Sequence, residues 1–235
     1  MTEFELTQSQ AHALLLQRTG YQSTLVGLVK RAGLTRWYDA RVAARTSARR
    51  RVDLAGRYAE ECRREADSLR EVLPETGVVM DIGCGLGGPD LALARAVPGL
   101  SFVLLDKDEF DDRPHYGFEE EASAYNSLTQ TVEFITANGV ARDRLETVDI
   151  SRQPFPAERP VDAVISIMSW GFHYPLSTYL DQVHAVLRPG GVVVVDVRTG
   201  TDAESELRGA FGDDAVRRVA TPHTAFPRLL ATKSG

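Results

Sequence analysis

Cysteine is nearly absent from this sequence, and its scarcity sets the first limits on what the protein can be. Only Cys62 and Cys84 occur among 235 residues, and the two show no metal-ligand spacing. A framework of disulfides is therefore excluded, and we expect no metal ion at the functional site. A reducing cytoplasm is the compartment that this cysteine usage favours.

Long apolar runs are missing as well. No stretch approaches the ~18 uninterrupted apolar residues that are typical of a membrane-spanning helix. The chain begins Met1-Thr2-Glu3, which is acidic where a signal peptide requires basic residues. We therefore expect neither a membrane partner nor a secretory leader. With 43% hydrophobic residues, the chain can instead bury one sizeable core.

Charge is present but unevenly placed. Eleven basic and four acidic residues lie between Lys30 and Arg64, which gives this basic segment a charge of +7 and leaves −13 for the rest of a chain whose net charge is −6. Such a segment can bind RNA, or it can be a solvated helix face that pairs with the acidic remainder. No aromatic or RNA-module pattern accompanies the arginines, so we favour the second interpretation and do not expect nucleic acid as a partner.

The most informative stretch is residues 78–88, VVMDIGCGLGG. The run Val78 to Ile82 is apolar and β-branched, as expected of a strand in a parallel sheet, and Pro89 with the Leu- and Ala-rich residues after it predicts a helix. A strand, a glycine turn and a helix N-terminus together favour a nucleotide-type ligand. Gly83, Gly85 and Gly88 also satisfy the dinucleotide fingerprint, so the glycines alone do not identify the ligand.

Asp81 separates the two ligand classes. It precedes the first glycine by two residues, at the mouth of the predicted strand, where its carboxylate would repel a pyrophosphate and attract a cation. S-adenosylmethionine carries an ammonium and a sulfonium. At this point the sequence resembles the class I S-adenosylmethionine-dependent methyltransferases, whose first motif reads much like VMDIGCGLGG. The cofactor that this resemblance implies is S-adenosyl-L-methionine.

Further residues match the same family in order along the chain. Asp106 ends the predicted strand SFVLLD, 23 positions after Gly83, near the offset at which an acid accepts hydrogen bonds from ribose hydroxyls in dinucleotide and methyltransferase sites alike. Asp149, after the strand 145–148, matches the family's acid for the adenine amino group, and Leu-Arg-Pro-Gly-Gly precedes the Val-rich strand 192–197 as it does in that superfamily. The resemblance therefore implies a set of cofactor-binding residues: Asp81, Gly83, Cys84, Gly85, Gly88, Asp106, Lys107 and Asp149.

The predicted fold is a doubly wound α/β sheet, a Rossmann-like arrangement of about seven mostly parallel strands with an N-terminal helical cap. We divide the chain into a helical extension over 1–72 and an S-adenosylmethionine-binding domain over 73–235. Helices are predicted over 7–20, 24–30, 36–54, 57–73, 119–138, 177–187 and 202–211, with a break at Gly56. The strands 215–220 and 228–232 would form an antiparallel hairpin, with His223 on the surface.

The loop after the fourth strand, 161–167, would meet the methyl acceptor. It brings Trp170, His173 and Tyr174 to the carboxyl edge of the sheet, where His173 is the candidate catalytic base. Packing of the loop is the alternative for these rings. The other candidate substrate-binding residues lie in the N-terminal third, in the loop 107–118, in the helix after it and behind the fifth strand: Trp37, Tyr38, His115, Tyr116, Tyr125 and Arg198.

Motifs that this loop lacks narrow the reaction. Methyltransferases acting on exocyclic amines of nucleic-acid bases or on glutamine usually carry Asn/Asp-Pro-Pro-Tyr/Phe here, and those acting on pyrimidine C5 need a Pro-Cys pair; the sequence has neither. The resemblance thus implies methyl transfer to a hydroxyl, or an amine, of a small molecule. HYGFEEEAS and SWGFHYP resemble small bacterial methyltransferases of sugar or natural-product metabolism.

Three alternatives stay open at this point. They are an RNA methyltransferase that uses the basic segment, a dinucleotide-dependent oxidoreductase and a protein that binds the cofactor without catalysis. Homodimerisation is left open as well.

Overall fold

The structure, a computed structural model, describes residues 4–17, 48–108 and 126–235. The helix predicted over 24–30 lies outside these ranges, as do residues 36–47 of the helix predicted over 36–54 and residues 119–125 of the one predicted over 119–138. No helix within the described ranges combines the length and the apolar character needed to cross a bilayer.

Seven strands form one sheet at the centre of the molecule. They are β1 (Thr76–Ile82), β2 (Gly99–Asp106), β3 (Leu145–Asp149), β4 (Val161–Ser166), β5 (Leu187–Asp196), β6 (Val216–Val219) and β7 (Arg228–Thr232). Their order is β3-β2-β1-β4-β5-β7-β6; the first five strands along the chain pair in parallel, and β7 runs antiparallel to β5 and β6. The predicted sheet and its closing hairpin are confirmed.

The described residues include six α-helices. They are α1 (Gln8–Gln17), α2 (Ala48–Leu69), α3 (Gly88–Ala96), α4 (Leu128–Ala137), α5 (Leu180–Val186) and α6 (Ala203–Phe211). The predicted cap at Thr7 is confirmed, because its hydroxyl accepts from Gln10 N at 3.2 Å while the Gln10 side chain accepts from Thr7 N at 2.9 Å. Pro89 lies in the first turn of α3, as predicted.

The sheet is buried on both faces. In β1, Val79 belongs to an apolar cluster shared with α2 and α3, whereas Met80 and Ile82 belong to a second cluster shared with α5 and α6. Parallel strands covered on both faces have unbroken apolar sequences for this reason. The chain turns to opposite sides after β1 and β4, which are neighbours, so their carboxyl ends border the crevice where open α/β sheets bind ligands.

The predicted break at Gly56 is wrong, because α2 runs without interruption from Ala48 to Leu69. Leu54, Tyr58 and Cys62 give the helix one continuous buried face on both sides of the glycine. Packing of that face outweighs the ~1 kcal/mol that a glycine costs in a helix interior.

Two further boundaries differ from the prediction. The helix predicted over 119–138 begins only at Leu128 in the described residues, because Ser127 caps it and accepts from Gln130 N at 3.5 Å. The helix predicted over 177–187 is replaced by a short 3-10 turn, Leu176–Thr178, and the seven-residue α5. Leu187 then already pairs with Val161, so β5 includes the Arg-Pro-Gly-Gly segment that sequence patterns place in a loop.

The N-terminal helices share the core of the sheet. Phe4 packs edge-on against Tyr58 of α2 at 5.8 Å and against Phe134 of α4 at 5.5 Å between ring centroids. Leu14 of α1 lies in the same buried cluster as Val79 of β1. The division of the chain at residue 73 stays a prediction, and buried contacts cross it.

A buried ion cluster joins α2 to the far side of the sheet. Arg228, at the start of β7, donates to the two carboxylate oxygens of Asp196 at 2.7 and 3.0 Å, to Glu65 Oε2 at 2.8 Å and to Ser68 Oγ at 2.9 Å. The three charged side chains are at most 1% exposed. His223 Nε2 lies 2.7 Å from the other oxygen of Glu65, so His223 is not the free surface residue that was predicted.

The cluster shifts the pKa values of its acids in opposite directions. Burial raises the pKa of Asp196 in spite of its bond to Arg228. Burial acts the same way on Glu65, but hydrogen bonds and charge from His223 and Arg228 outweigh it and lower the pKa of Glu65. The three elements that meet here are therefore held together by charge that depends on its partners.

Replacing Arg228 by methionine should destabilise the fold strongly, because Asp196 and Glu65 would stay buried without their cation. Removing one member of a buried ion pair costs about 3 to 5 kcal/mol. The free energy of unfolding, measured by urea denaturation with circular dichroism, should fall accordingly. Arg63→Met breaks an exposed pair with Glu60 and should leave the denaturation midpoint near that of the wild type. Equal small shifts in the two variants would contradict this account.

Candidate active site

The glycine turn, residues 83–87, follows β1 at the centre of the carboxyl edge. Gly83 N and Cys84 N both donate to Leu105 O of β2, at 2.7 and 3.4 Å, which folds the turn over the end of that strand. Gly83 has a φ of +81°, and a methyl group there would overlap the Ser169 hydroxyl. The turn and the loop after β4 therefore approach so closely that position 83 requires glycine.

Asp106, at the end of β2, holds the turn in place. Its Oδ2 accepts from Gly85 N at 2.8 Å and from Asn126 Nδ2 at 3.2 Å, and its Oδ1 accepts from Lys107 N at 2.8 Å. Thr131 of α4 donates its hydroxyl to Gly85 O at 2.7 Å. Both backbone groups of Gly85 are thus fixed by side chains from other elements.

Burial also changes the acidity of Asp106. It raises the pKa of this carboxyl to about 6, against the opposing effect of the hydrogen bonds from Gly85, Lys107 and Asn126. A carboxylate predicted to meet ribose hydroxyls is therefore ionised at neutral pH and protonated in mild acid.

The first helix reaches the same turn. Gln17, the last residue of α1, accepts from Leu86 N at 3.3 Å through Oε1 and donates from Nε2 to Asn126 Oδ1 at 3.4 Å. The N-terminal cap expected from the family resemblance thus lies against the turn.

Gly88, predicted to contact the cofactor, is instead enclosed by α2. Its N–H donates to the Tyr58 hydroxyl at 3.1 Å, and a side chain at Gly88 would overlap Tyr58 and the Cys62 sulfur. The close approach of α2 to α3 is what requires glycine here. Tyr58 in turn satisfies the first amide of α3, which a helix leaves without an internal partner.

Three carboxyl groups surround the turn. Asp81 is 2% exposed, Asp90 in the first turn of α3 is fully buried, and Asp106 flanks the turn from β2. Burial and these three acids together raise the pKa of the Cys84 thiol well above its ordinary value, so Cys84 is a neutral thiol. The prediction that Asp81 stands at an open strand mouth is wrong, because its side chain is buried beside Asp90.

This charge distribution distinguishes the two ligand classes. A pyrophosphate placed in the turn would meet like charge from Asp81 and Asp106, whereas the ammonium and sulfonium of S-adenosylmethionine would be attracted. Among the residues described, no group of three or more His, Cys, Asp and Glu side chains is arranged to hold a metal ion. The residues of the turn therefore fit S-adenosylmethionine.

Asp149 lies next to Asp106, its register partner across β2 and β3. It accepts from Ser151 Oγ at 2.6 Å and from the amides of Ser151 and Asp108 at 3.0 and 3.3 Å, and Arg152 lies 3.2 Å away. Burial opposes these contacts, but they lower the pKa of Asp149, which stays ionised. The structure brings Asp149 to the predicted edge, and its contact with adenine stays a prediction.

The loop after β4 is packed by its own rings. Trp170 is fully buried and its Nε1 donates to Leu176 O at 3.0 Å, so Trp170 packs the loop in place of the predicted acceptor contact. Tyr174 is nearly buried; burial raises the pKa of its phenol, although a hydrogen bond with Ser169 opposes the shift. Tyr174 thus supports Ser169, the residue that touches the glycine turn.

His173 belongs to a group of rings at the carboxyl ends of β4 and β5. It is half-buried, and its imidazole meets the Phe172 ring edge-on with 5.2 Å between centroids. Phe172 also contacts Phe226 at 4.8 Å, and the Arg198 guanidinium lies 5.5 Å from the Phe172 centroid. The structure therefore brings together His173 and Arg198, two of the residues predicted to act on the acceptor.

A cleft of about 380 Å³ opens beside these rings. We call it the corner cleft; its walls are residues 197–201, Glu204, Arg218 and residues 224–227. Arg198 and Phe226 belong both to the cleft and to the ring group around Phe172. The volume falls within the range of small-molecule sites.

Five predicted substrate residues lie outside the described ranges: Trp37, Tyr38, His115, Tyr116 and Tyr125. Other residues that shape the site were missed. Gln17, Tyr58 and Ser169 act through contacts across 30 or more residues, for which local patterns carry no signal. Asp90 did carry one, since it is an acid in an otherwise Leu- and Ala-rich helix.

A family model described as a methyltransferase domain matches residues 54–228. The match begins within α2 and ends at the first residue of β7, so it includes the glycine turn, the three acids around it and the corner cleft. No curated protein matches the sequence at a significant level.

Similar solved structures share the fold. The T. thermophilus 16S rRNA N2 G1207 methyltransferase RsmC, in complex with AdoMet and guanosine, is 19% identical over 72% of this chain and 42% of that one, with a TM-score of 0.51. A Nostoc punctiforme protein proposed as an O-methyltransferase is 19% identical over 74% and 56%, with a TM-score of 0.52. For the S-adenosylmethionine-dependent methyltransferase SibL the values are 18%, 97%, 74% and 0.53. The chain thus spans about half the length of the first two.

Affinity for S-adenosylmethionine should fall as the pH is lowered through about 6, because protonated Asp106 can no longer accept at both oxygens. Hydrogen bonds to a charged group are worth about 1.5 to 3 kcal/mol, so we expect a roughly ten- to hundredfold weaker Kd for Asp106→Asn at pH 7.5. Calorimetric titration from pH 5.5 to 8 measures both effects.

Controls separate this effect from unfolding. A carboxyl pKa raised from 3.8 to about 6 makes the contribution of Asp106 to folding stability grow, not shrink, as the pH falls through that window. Glu146→Gln alters an exposed acid of β3 and should keep the wild-type pH profile. A Kd for Asp106→Asn equal to that of the wild type would rule out the role of Asp106.

Proposed function

The chain belongs to the family of S-adenosylmethionine-dependent methyltransferases, and from this premise we propose that it methylates a hydroxyl group, or as a second choice an amine, of a small molecule. When bound, the cofactor supplies a methyl group activated by its sulfonium. The residues of this chain then need to bind and align the two reactants and to take up one proton from the acceptor.

The glycine turn and the acids around it are the proposed donor side of the site. Gly83, Gly85 and Asp81 would hold the methionine part, Asp106 the ribose and Asp149 the adenine edge. The fixed backbone of Gly85 supports this assignment, because a turn already held by Asp106 and Thr131 loses little freedom when a ligand binds.

The corner cleft is the observation that carries the choice of a small acceptor. It lies at the carboxyl ends of β4 and β5, next to the loop that contacts the glycine turn through Ser169. A volume of about 380 Å³ suits a small molecule. Arg198 and the hydroxyls of Thr199 and Thr201 offer donors for a polar or anionic acceptor.

His173 is the proposed general base. An imidazole titrates near neutrality and can take a proton from a hydroxyl as the methyl group is transferred. Its half-buried position beside Phe172, which borders the corner cleft through Phe226, supports this role.

The RNA alternative has less support from the described part of the basic segment. On α2, Arg63 lies 2.6 Å from Glu60 and 3.4 Å from Asp67, and Arg64 lies 4.0 Å from Glu60. These pairs along one exposed helix face favour the solvated surface that the sequence suggests. Residues 30–47 of the segment lie outside the described ranges.

The remaining alternatives differ in standing. Family membership sets aside the dinucleotide-dependent oxidoreductase. A protein that binds the cofactor without catalysis stays an alternative that only turnover can exclude.

We further propose that the acceptor is a sugar or natural-product intermediate and that the enzyme works in the cytoplasm. The first proposal rests on the resemblance of the HYGFEEEAS and SWGFHYP segments. The second rests on the two cysteines, which are both unpaired thiols.

A panel of hydroxylated sugars, phenols and hydroxy acids, assayed for S-adenosylhomocysteine production, tests the proposal. His173→Asn should lower kcat by about 10²- to 10⁴-fold at saturating cofactor, the usual contribution of a general base. The control is His184→Asn, which alters a histidine of α5 packed on Phe211 and should keep the wild-type rate.

Other outcomes would overturn parts of the proposal. An unchanged kcat in His173→Asn removes His173 as the base. No turnover on the panel, together with RNA binding that weakens steeply with salt, would favour an RNA methyltransferase. Cofactor binding with neither activity would favour a non-catalytic protein.

A further inference from the structure

Asp90 is a buried carboxyl with no role in the reaction outlined above. It is the third residue of α3 and is 0% exposed. Within the described part of the chain, neither of its carboxyl oxygens accepts a hydrogen bond from an amide or hydroxyl of another residue. Its hydrogen-bonding neighbour is the carboxyl of Asp81, which is 2% exposed. Two carboxyl groups in such contact cannot both stay ionised, so the contact holds a proton.

The groups around this pair do not replace that proton with another cation. Cys84 lies in the turn above, Tyr58 and Cys62 of α2 reach the first turn of α3, and Asp106 and Tyr174 act on the same region. All of these are acids or neutral groups. No basic side chain of the described ranges contributes to the pKa of Asp90, which burial raises to about 7 even though the α3 N-terminus favours negative charge.

We propose that Asp90 carries a proton in the ligand-free protein and releases it when the ammonium group of the cofactor's methionine part comes to Asp81. This inference rests on the proposed function, in which Asp81 holds that part of the cofactor. The O–H bond of Asp90 breaks, the proton passes to solvent, and the carboxylate that remains faces the ammonium. Cofactor binding is thereby linked to the release of a proton from beneath the glycine turn.

The physical cause is charge compensation in a buried site. In the ligand-free protein, desolvation and the neighbouring Asp81 both disfavour an ionised Asp90. A positive charge within a few ångströms lowers a carboxyl pKa by about 1 to 3, which is enough to deprotonate Asp90 near neutral pH. By linkage, affinity for a ligand that carries the ammonium should rise with pH, approaching about tenfold per pH unit below the pKa of Asp90.

Two ligands isolate the ammonium from the rest of the cofactor. S-adenosylhomocysteine carries the amino-acid part, whereas 5′-methylthioadenosine has the same adenosine and thioether without it. Both would meet Asp106 and Asp149 alike, so any proton exchanged at those acids cancels in the comparison.

Calorimetric titration at pH 6.5 in phosphate and in Tris, which differ in ionisation enthalpy, gives the number of protons released per ligand bound. We expect S-adenosylhomocysteine to release about half a proton or more beyond 5′-methylthioadenosine, since most of Asp90 is protonated at this pH and little of it should be when the ammonium is bound. Equal proton counts for the two ligands would overturn the proposal. Failure of S-adenosylhomocysteine to bind would instead overturn the proposed function.

Asp90→Asn assigns the proton to its residue. Asparagine has the same shape and does not titrate, so the difference between the two ligands should vanish in this variant. Asp181→Asn changes an exposed aspartate in the first turn of α5 and should keep the wild-type proton count. An unchanged difference in a folded Asp90→Asn protein would refute the assignment, and the wild-type comparison still decides the proposal if that variant does not fold.

Discussion

The buried guanidinium of Arg228 fixes the relation between the N-terminal helices and the sheet. Taking this group and two carboxyls out of water is costly, and the cost is recovered only because Asp196, Glu65 and Ser68 supply a full set of acceptors. The contact sets the position of α2, and α2 carries Tyr58 to the first amide of α3. The last strand of the sheet thus controls the start of the helix after the glycine turn.

The turn itself is held by side chains from four elements. Asp106, Thr131, Gln17 and Tyr58 satisfy the backbone of residues 85, 86 and 88. Buried amides and carbonyls without partners are expensive, so these bonds select one conformation of the turn before any ligand arrives. Acids concentrated at such a rigid turn give it a fixed preference for cationic ligands.

Local patterns were sufficient for the sheet and insufficient for depth. Unbroken apolar runs identify strands buried on both faces, and the Gly83-Cys84-Gly85 turn and Asp106 were found by spacing alone. The same patterns overstated Gly56 as a helix break, because packing of α2 is set by distant strands. They placed Asp81 at an open mouth and Trp170 against an acceptor, since composition does not tell a buried side chain from an accessible one. Gly88 was assigned to a ligand although its neighbour, Tyr58, comes from another helix.

The separation of 163 residues between Glu65 and Arg228 has a consequence for how the chain is made. Synthesis proceeds at about 5 to 20 residues per second, so roughly 10 to 30 s pass between the appearance of the two side chains at the ribosome. During that interval Glu65 and the apolar face of α2 lack their final partner. A nascent chain halted before β7 would therefore keep the N-terminal helices undocked, and arrival of the C-terminal hairpin becomes the step that commits the protein to its native state.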